Sequence, residues 1–328
     1  MNRELWMEEP FHRICPTVLT IQDFQSLLYR DVGCFLHACR FKRNSLAMAI
    51  SCSRAPESFK TCAHPALIVG HPGHELKVFG WISEFRPRTY VLTDGSGHRG
   101  VSRLPSTAQL LARLGIEADP LFGVTSDRSL YRAILDRETA WLVAILDRIT
   151  DSFIEDRIDL VVADAMEGFN PAHDLCRILV DGGVAAVKRK TGRTISNYKF
   201  CLTEWERARQ EQHDETCFHF VLDDDALRRK IEAAEKYGEL KAEIRQAIAL
   251  RGVEYFRIEC LKEVAEPFGQ HDYSGRPDYE NWGEQRVAEG TYESVIRYDQ
   301  HVFPTIDAIR SHALGAKTCP IGAVATGS

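Results

Sequence analysis

The segment ALIVGHPGHE, residues 66–75, joins an apolar run to a polar loop that holds two histidines and a glutamate. A short apolar run bounded by turn residues is typical of a strand buried on both faces of a parallel sheet. Residues 158–173, with the sequence IDLVVADAMEGFNPAH, repeat the arrangement and again place a histidine in the polar loop. We therefore predict two core strands, each followed directly by a loop that carries histidine.

The chain around these two segments alternates between strand and helix patterns. Residues 89–97, TYVLTDGSG, predict a third strand that ends in a turn. Residues 129–153 carry apolar side chains at every third or fourth position, and residues 223–251 are charge-rich and begin with three aspartates, so each predicts a helix. This alternation indicates an α/β fold, a doubly wound, Rossmann-like and mostly parallel sheet with helices on both faces. We place it at residues 61–315, between an N-terminal extension (1–60) and a flexible tail (316–328).

Composition excludes several classes of protein. The 328 residues are 44% apolar and 27% charged, which is ordinary for a globular protein, and the net charge of −6 does not favour a nucleic-acid partner. No apolar run approaches the ~20 residues of a membrane helix, and the first residues lack the pattern of a secretory signal. Ten cysteines without a Cys-x-x-Cys pair are typical of reduced thiols, so we expect a cytoplasmic protein.

Three histidines are the candidate metal ligands. Ligands bind outside the carboxyl ends of the strands in open parallel sheets, where the polar loops are expected to meet. His71 and His74 are three residues apart, so one helical turn can direct both rings to one point, and His173 arrives from another strand end. Three histidines predict a divalent-metal site, zinc or a similar ion, with an open fourth position.

These loops resemble the motifs of the LmbE-like, or PIG-L, superfamily of zinc-dependent N-acetylglucosamine deacetylases. That family has His-Pro-Asp-Asp-Glu after its first strand, Thr-Asp-Gly after another, and a later His-Pro-x-His loop. Residues 71–75, 93–95 and 170–173 resemble these motifs in the same order. The resemblance implies zinc bound by His71, His74 (an aspartate in the family) and His173, with Glu75 orienting a ligand or a backbone group from behind them. It also implies an amide hydrolase that removes an acetyl or other acyl group from an amino sugar or sugar conjugate.

The chain departs from the family at the residues that transfer protons. The family's general base falls on Gly73, its histidine that stabilises the tetrahedral intermediate falls on Asn170, and an acidic neighbour falls on Ala172. Losing a general base typically costs about 10²–10⁴-fold in rate rather than all activity, so we expect a working but altered hydrolase. Another carboxylate at a strand end is expected to act as the base, with Glu167 and Asp94 ranked first and Asp164 next. Asn170 can still donate a hydrogen bond to an oxyanion.

Two other functions remain open at this point. One is a non-catalytic descendant of the deacetylase fold that binds a metal or a sugar. The other is a cofactor-binding α/β enzyme, such as a methyltransferase, with DLVVADAMEG (residues 159–168) as its nucleotide-site strand. The first strand is followed by Gly-His-Pro-Gly in place of Gly-x-Gly-x-x-Gly, which disfavours the second alternative. The particular sugar, the acyl group and the oligomeric state have no signal in the sequence.

Overall fold

A seven-stranded sheet forms the centre of the computed structural model, which describes residues 56–97, 100–116, 118–203, 217–269 and 275–316. The first five strands are parallel to one another, and the last two are each antiparallel to their neighbour. The strands are β1 (Pro65–Val69), β2 (Arg88–Thr93), β3 (Ala118–Thr125), β4 (Leu160–Asp164), β5 (Ser196–Phe200), β6 (Cys217–Val221) and β7 (Ile258–Glu263). Their order across the sheet is β3-β2-β1-β4-β5-β7-β6.

Ten α-helices are present in the described part of the chain. They are α1 (Glu57–Thr61), α2 (Phe79–Phe85), α3 (Leu104–Leu114), α4 (Asp127–Leu135), α5 (Thr139–Glu155), α6 (Pro171–Thr191), α7 (Asp224–Glu235), α8 (Lys241–Arg251), α9 (Asp278–Ala288) and α10 (Phe303–Leu314). Three short 3₁₀ segments, His74–Val78, Gly238–Leu240 and Val253–Arg257, and one π turn, Tyr298–Val302, complete the regular structure.

Helices cover both faces of the sheet, as the sequence predicts. Successive strand side chains point to opposite faces. In β1, Ala66 and Ile68 therefore pack in one buried cluster with residues of α4, α5, α6 and α10. Leu67 and Val69 pack in another with residues of α1, α2 and α3. The predicted doubly wound, mostly parallel α/β fold is confirmed.

The strand order reverses between β1 and β4. From β1 the chain continues to β2 and β3 on one side, whereas β4 and β5 lie on the other. β1 and β4 pair in parallel, with Ile68 opposite Ala163, so their carboxyl ends lie side by side. The crevice at such a switch point is the usual ligand site of this architecture. The two loops that carry the histidines therefore meet there.

Two of the predicted helices are interrupted. Residues 129–153 belong to α4 and α5, which are separated at Arg137, whose φ of 53° is in the left-handed region. Residues 223–251 belong to α7 and α8, separated at Tyr237 and the 3₁₀ segment 238–240. The apolar period continues on both sides of each interruption, so periodicity alone did not reveal it. The predicted aspartate cap is confirmed, because Asp223 accepts a hydrogen bond from the Ala226 N–H.

The predicted N-terminal extension lies mostly outside the described residues, and so does the predicted tail beyond residue 316. Helix α1 is described, and its Phe59 is buried against the rings of Tyr198 and Phe218 at centroid distances of 4.6 and 5.0 Å. The chain therefore packs on the sheet from about residue 56, while the domain boundary at 61 stays a prediction. Among the described residues, no helix is long and apolar enough to cross a membrane.

Candidate metal centre

The three predicted histidine ligands converge at the switch point. His71 follows β1 after one glycine, His74 begins the 3₁₀ segment, and His173 lies in the first turn of α6. One ring nitrogen of each lies within 4.8 Å of the others. The ring centroids are 4.6–5.2 Å apart, and all three rings are largely buried. The structure thus brings together residues that are about 100 positions apart in the chain.

Glycines shape the loop that carries His71 and His74. The Gly70 N–H donates to Asp164 Oδ2 at 2.7 Å, and the Gly70 carbonyl accepts from the Thr93 N–H and hydroxyl. A Cβ at Gly70 would lie 3.0 Å from that carboxylate oxygen, so the close approach requires glycine. Gly73 has a φ of 106°, which L side chains rarely adopt, and this turn directs His74 back towards His71.

The start of helix α6 positions His173. Asn170 is the N-cap residue, and its side-chain oxygen accepts from the Ala172 N–H and from the Tyr131 hydroxyl, both at 2.8 Å. Pro171 follows at the first helical position, where its missing N–H and fixed φ are favourable. The sequence Asn-Pro-Ala-His therefore starts a helix and places the histidine in its first turn.

Four buried polar atoms at this site have no hydrogen-bond partner. They make up half of the eight such side-chain atoms found among the described residues, and they are His71 Nδ1, His173 Nδ1, Asp127 Oδ1 and Asp164 Oδ1. Each unsatisfied buried group costs about 1–3 kcal/mol, so a cluster of them is unusual in a structural core. Two nitrogen lone pairs and two negatively charged oxygens in one place fit a bound cation. The three-histidine donor set suits zinc.

Two buried carboxylates each contact a ring nitrogen of one of the histidines. Asp164 Oδ2 lies 2.8 Å from His74 Nδ1, and Asp127 Oδ1 lies 3.3 Å from His71 Nε2. Asp164 was predicted as a possible base, whereas Asp127 was not identified from the sequence. It begins α4 directly after β3, a strand that the sequence analysis did not recognise. The run LFGVT followed by Ser-Asp, a strand pattern before a helix cap, was the available signal.

Burial keeps His74 and His173 neutral, which is the form that binds a metal. Desolvation, with a smaller contribution from neighbouring histidines, lowers the pKa of His74 and His173 well below 6.5. Burial also raises the pKa of Asp164 to about 6. Although burial opposes ionisation of Asp127, His71 and several hydrogen bonds hold its pKa well below the usual range. The site therefore combines two neutral imidazoles, those of His74 and His173, with at least one buried anion.

Glu75 supports the backbone of the histidine loop. Its carboxylate is fully buried, accepts from the Gly73 N–H at 2.7 Å and accepts from the Thr107 hydroxyl at 2.8 Å. The Thr107 hydroxyl in turn lies 2.7 Å from the Tyr237 hydroxyl. Burial raises the pKa of Glu75 to about 7. Glu75 is thereby tied both to the turn at Gly73 and to the segment after α7.

The two carboxylates ranked first as bases have other partners. Asp94 Oδ1 accepts from the Ser96 N–H and hydroxyl and from the Asp127 N–H. Glu167 accepts from the Leu202 N–H and from the Thr203 N–H and hydroxyl, and burial raises its pKa to about 7. The Glu167 carboxylate is thereby hydrogen-bonded to the turn after β5, and the Asp94 carboxylate to the turn that contains Asp94 itself. Their catalytic roles stay predictions.

Leu240 occupies the space beside Gly73. A Cβ added at Gly73 would overlap Leu240 Cδ1 and would lie 3.7 Å from Tyr237 Cζ. Leu240 ends the 3₁₀ segment between α7 and α8, and it packs with Leu76 and Tyr237 in a small apolar cluster. An apolar side chain, rather than a carboxylate, therefore lies where a longer residue 73 would extend.

No protein-family model matches the sequence, and no curated protein matches it significantly. Solved structures similar to the model include the zinc-inhibited form of teicoplanin deacetylase Orf2, with 12% identity, a TM-score of 0.46, and coverage of 63% of this chain and 100% of that chain. The deacetylase of A40926 pseudoaglycone, Dbv21, has 14% identity and a TM-score of 0.40, and the match covers 63% of this chain and 99% of that chain.

Proposed function

We propose that the protein is a zinc-dependent amide hydrolase that removes an acyl group, such as acetyl, from an amino sugar or sugar conjugate. One observation carries the metal-dependent part: three histidines and four unsatisfied buried polar atoms meet at the switch point of the sheet. The amide and the amino sugar come from the resemblance to the LmbE-like motifs. A cytoplasmic location and a small-molecule partner, with no nucleic acid, belong to the same proposal.

The protein's own groups divide into binding and positioning roles. His71, His74 and His173 hold the ion, which when bound supplies Lewis acidity and lowers the pKa of a coordinated water to about 7. Asn170 uses its side-chain oxygen within the protein, at Ala172 and Tyr131. Its amide nitrogen is therefore the group that donates to a developing oxyanion. Glu75 fixes the turn that carries His74.

The general base is assigned to a carboxylate other than residue 73. Glu167 and Asp94 remain the first candidates, and replacing either by its amide should lower turnover about 10²–10⁴-fold with little loss of metal. Because Asp94 also accepts from the Asp127 N–H, Asp94→Asn needs a check that His71 is undisturbed. Full activity in both variants would exclude both residues as the base and would point either to a zinc-activated water that needs no carboxylate base or to Asp164.

A non-catalytic metal-binding protein is the second candidate, and one observation favours it. The histidines are nearly buried, and Leu240 fills the space beside Gly73, where the resembled family has its base. Zinc-loaded protein that releases no acetate from N-acetylated amino sugars, while still binding the metal, would support this alternative. Release that depends on zinc would support the hydrolase.

Metal stoichiometry of histidine variants tests the metal site. We expect about one zinc per chain in the parent and loss of zinc in His71→Ala, His74→Ala and His173→Ala, with the fold retained because no core strand changes. His219→Ala is the matched control, because that histidine is exposed on the edge strand β6. A parent that purifies without metal and cannot be reconstituted with zinc would refute the proposal.

A further inference from the structure

Two buried carboxylates lie behind two of the three histidines, and each contacts a different ring nitrogen. Asp164 contacts His74 at Nδ1, whereas Asp127 contacts His71 at Nε2. We propose that Asp164 and Asp127 fix opposite tautomers of these two rings, so that each presents a deprotonated nitrogen to the ion. This inference rests on the metal site of the proposed function.

The contact between His74 and Asp164 has the geometry of a hydrogen bond. The distance from Nδ1 to Oδ2 is 2.8 Å, and the same oxygen accepts from the Gly70 N–H at 2.7 Å. An ionised carboxylate carries no proton and can only accept hydrogen bonds, so the ring donates from Nδ1. The remaining nitrogen, Nε2, then carries the lone pair that a metal needs.

The contact between His71 and Asp127 uses the other ring nitrogen, Nε2. Asp127 Oδ1 lies 3.3 Å from His71 Nε2, and that oxygen has no other partner. The other oxygen, Oδ2, accepts from the Gly97 N–H at 2.8 Å, which holds the carboxylate in place. His71 Nδ1 is buried and has no hydrogen-bond partner. A proton on Nε2 therefore faces the Asp127 carboxylate and leaves Nδ1 for the ion.

The same geometry explains how histidine can stand at position 74. The resembled family has a metal-binding aspartate there, and its charge partly neutralises the ion. In this chain the neutral ring of His74 is backed by the carboxylate of Asp164, which is fully buried. The negative charge is thus retained, but on a side chain that contacts the ligand His74 instead of the ion. Together His74 and Asp164 replace the single aspartate.

Substitutions of the two carboxylates have different consequences. Asp127 uses separate oxygens, so in Asp127→Asn the bond from the Gly97 N–H holds the amide oxygen, the NH₂ group faces His71 Nε2, and the proton of His71 moves to Nδ1. Asp164 uses one oxygen for both of its contacts, so in Asp164→Asn the amide oxygen accepts from the Gly70 N–H and from His74 Nδ1, and His74 keeps its tautomer while the negative charge is lost. Asp164→Leu, of similar size, removes the acceptor and should release the proton of His74 from Nδ1.

The test measures tautomers and zinc affinity separately. Long-range ¹H–¹⁵N correlation spectra of the metal-free protein at about pH 7.5 should show a proton on Nδ1 of His74 and on Nε2 of His71. Asp127→Asn should reverse His71 alone, Asp164→Asn should keep both tautomers, and Asp164→Leu should abolish the preference of His74 for Nδ1. Each should weaken zinc binding about 10–100-fold in a chelator competition. Asp119→Asn is the control, because that buried aspartate contacts Arg88 and the Leu121 N–H and should leave both readouts unchanged.

The outcomes separate this inference from the proposed function. Identical tautomers in the parent, or Asp127→Asn and Asp164→Leu variants that keep the parent's tautomers and bind zinc within twofold of the parent, would overturn the inference while leaving a zinc site. A parent that binds no zinc would refute the proposed function, and the tautomers of the metal-free protein would still decide the roles of Asp164 and Asp127. If Asp164→Leu fails to fold, the parent spectrum and Asp127→Asn decide the question.

Discussion

Gly73 is the position at which a single methyl group should perturb the site most clearly. Its backbone has φ 106° and ψ −21°, and a Cβ there would overlap Leu240 Cδ1. Gly73→Ala therefore combines two costs. An L residue in this strained conformation costs about 1–3 kcal/mol. Displacing the terminal methyl group of the half-buried Leu240 side chain costs about another 1 kcal/mol. We expect a loss of about 2–4 kcal/mol in the free energy of unfolding.

A double-mutant cycle separates these costs. Leu240→Ala removes the methyl group that the new Cβ of Gly73→Ala would overlap, so the double variant should be about 1 kcal/mol more stable than the sum of the single changes predicts. The backbone strain remains in the double variant. Urea unfolding of the parent, both single variants and the double variant measures the coupling.

Gly192→Ala is the matched control for backbone strain. Gly192 has a φ of 75° at the end of α6, and a Cβ there would meet nothing within 4 Å. We expect it to cost about 1–3 kcal/mol and to show no coupling with Leu240→Ala. If Gly73→Ala costs no more than Gly192→Ala, or couples to Leu240→Ala by less than about 0.5 kcal/mol, the packing of Leu240 against Gly73 is refuted.

The same overlap limits attempts to restore the base of the resembled family. Gly73→Asp adds a longer side chain to the same strained backbone, so we expect it to destabilise the protein without increasing acetate release. Combining Gly73→Asp with Leu240→Ala makes room for the carboxylate. An increase in turnover in the double variant alone would identify Leu240 as the obstacle, whereas an active single variant would contradict this view.

Three further predictions concern pH and packing. Since the pKa values of buried His74 and His173 lie well below 6.5, each of these residues binds a proton more readily in the unfolded chain and destabilises the metal-free fold as the pH drops below about 6.5; metal-free His173→Ala should therefore gain stability relative to the parent over that range, and an unchanged difference in urea midpoints would contradict this. Burial raises the pKa of Glu167 from 4.5 to about 7, so its contribution to stability is present below pH 4.5 and is lost as the pH rises through 7. The free energy of unfolding of Glu167→Gln minus that of the parent should rise by up to about 3 kcal/mol between about pH 5 and about pH 8.5. A difference that does not change with pH would exclude the raised pKa of Glu167. Phe59→Ala should cost about 3–5 kcal/mol in urea unfolding with full zinc content, because Phe59 is 4% exposed and packs against the rings of Tyr198 and Phe218; loss of zinc with the fold intact would show that α1 supports the site.

The sequence by itself determined the part of the fold that depends on local pattern. The apolar runs of β1, β2 and β4 were recognisable because each is bounded by turn residues, and their predicted positions agree with Pro65–Val69, Arg88–Thr93 and Leu160–Asp164. Parallel strands share one carboxyl edge, so the positions of His71 and His173 after two such strands were sufficient to predict that they meet.

Only the tertiary structure decided what surrounds the three histidines. Asp127 reaches His71 because β3 lies beside β2 at the edge of the sheet, and β3 was too weakly patterned to be recognised. Leu240 meets Gly73 from a distant part of the chain, through an interruption between α7 and α8 that the continuing apolar period concealed. Periodicity reports which side chains are buried, but the partner of a buried side chain depends on how distant elements pack. The carboxylate behind each imidazole and the leucine beside Gly73 are therefore properties of the folded chain.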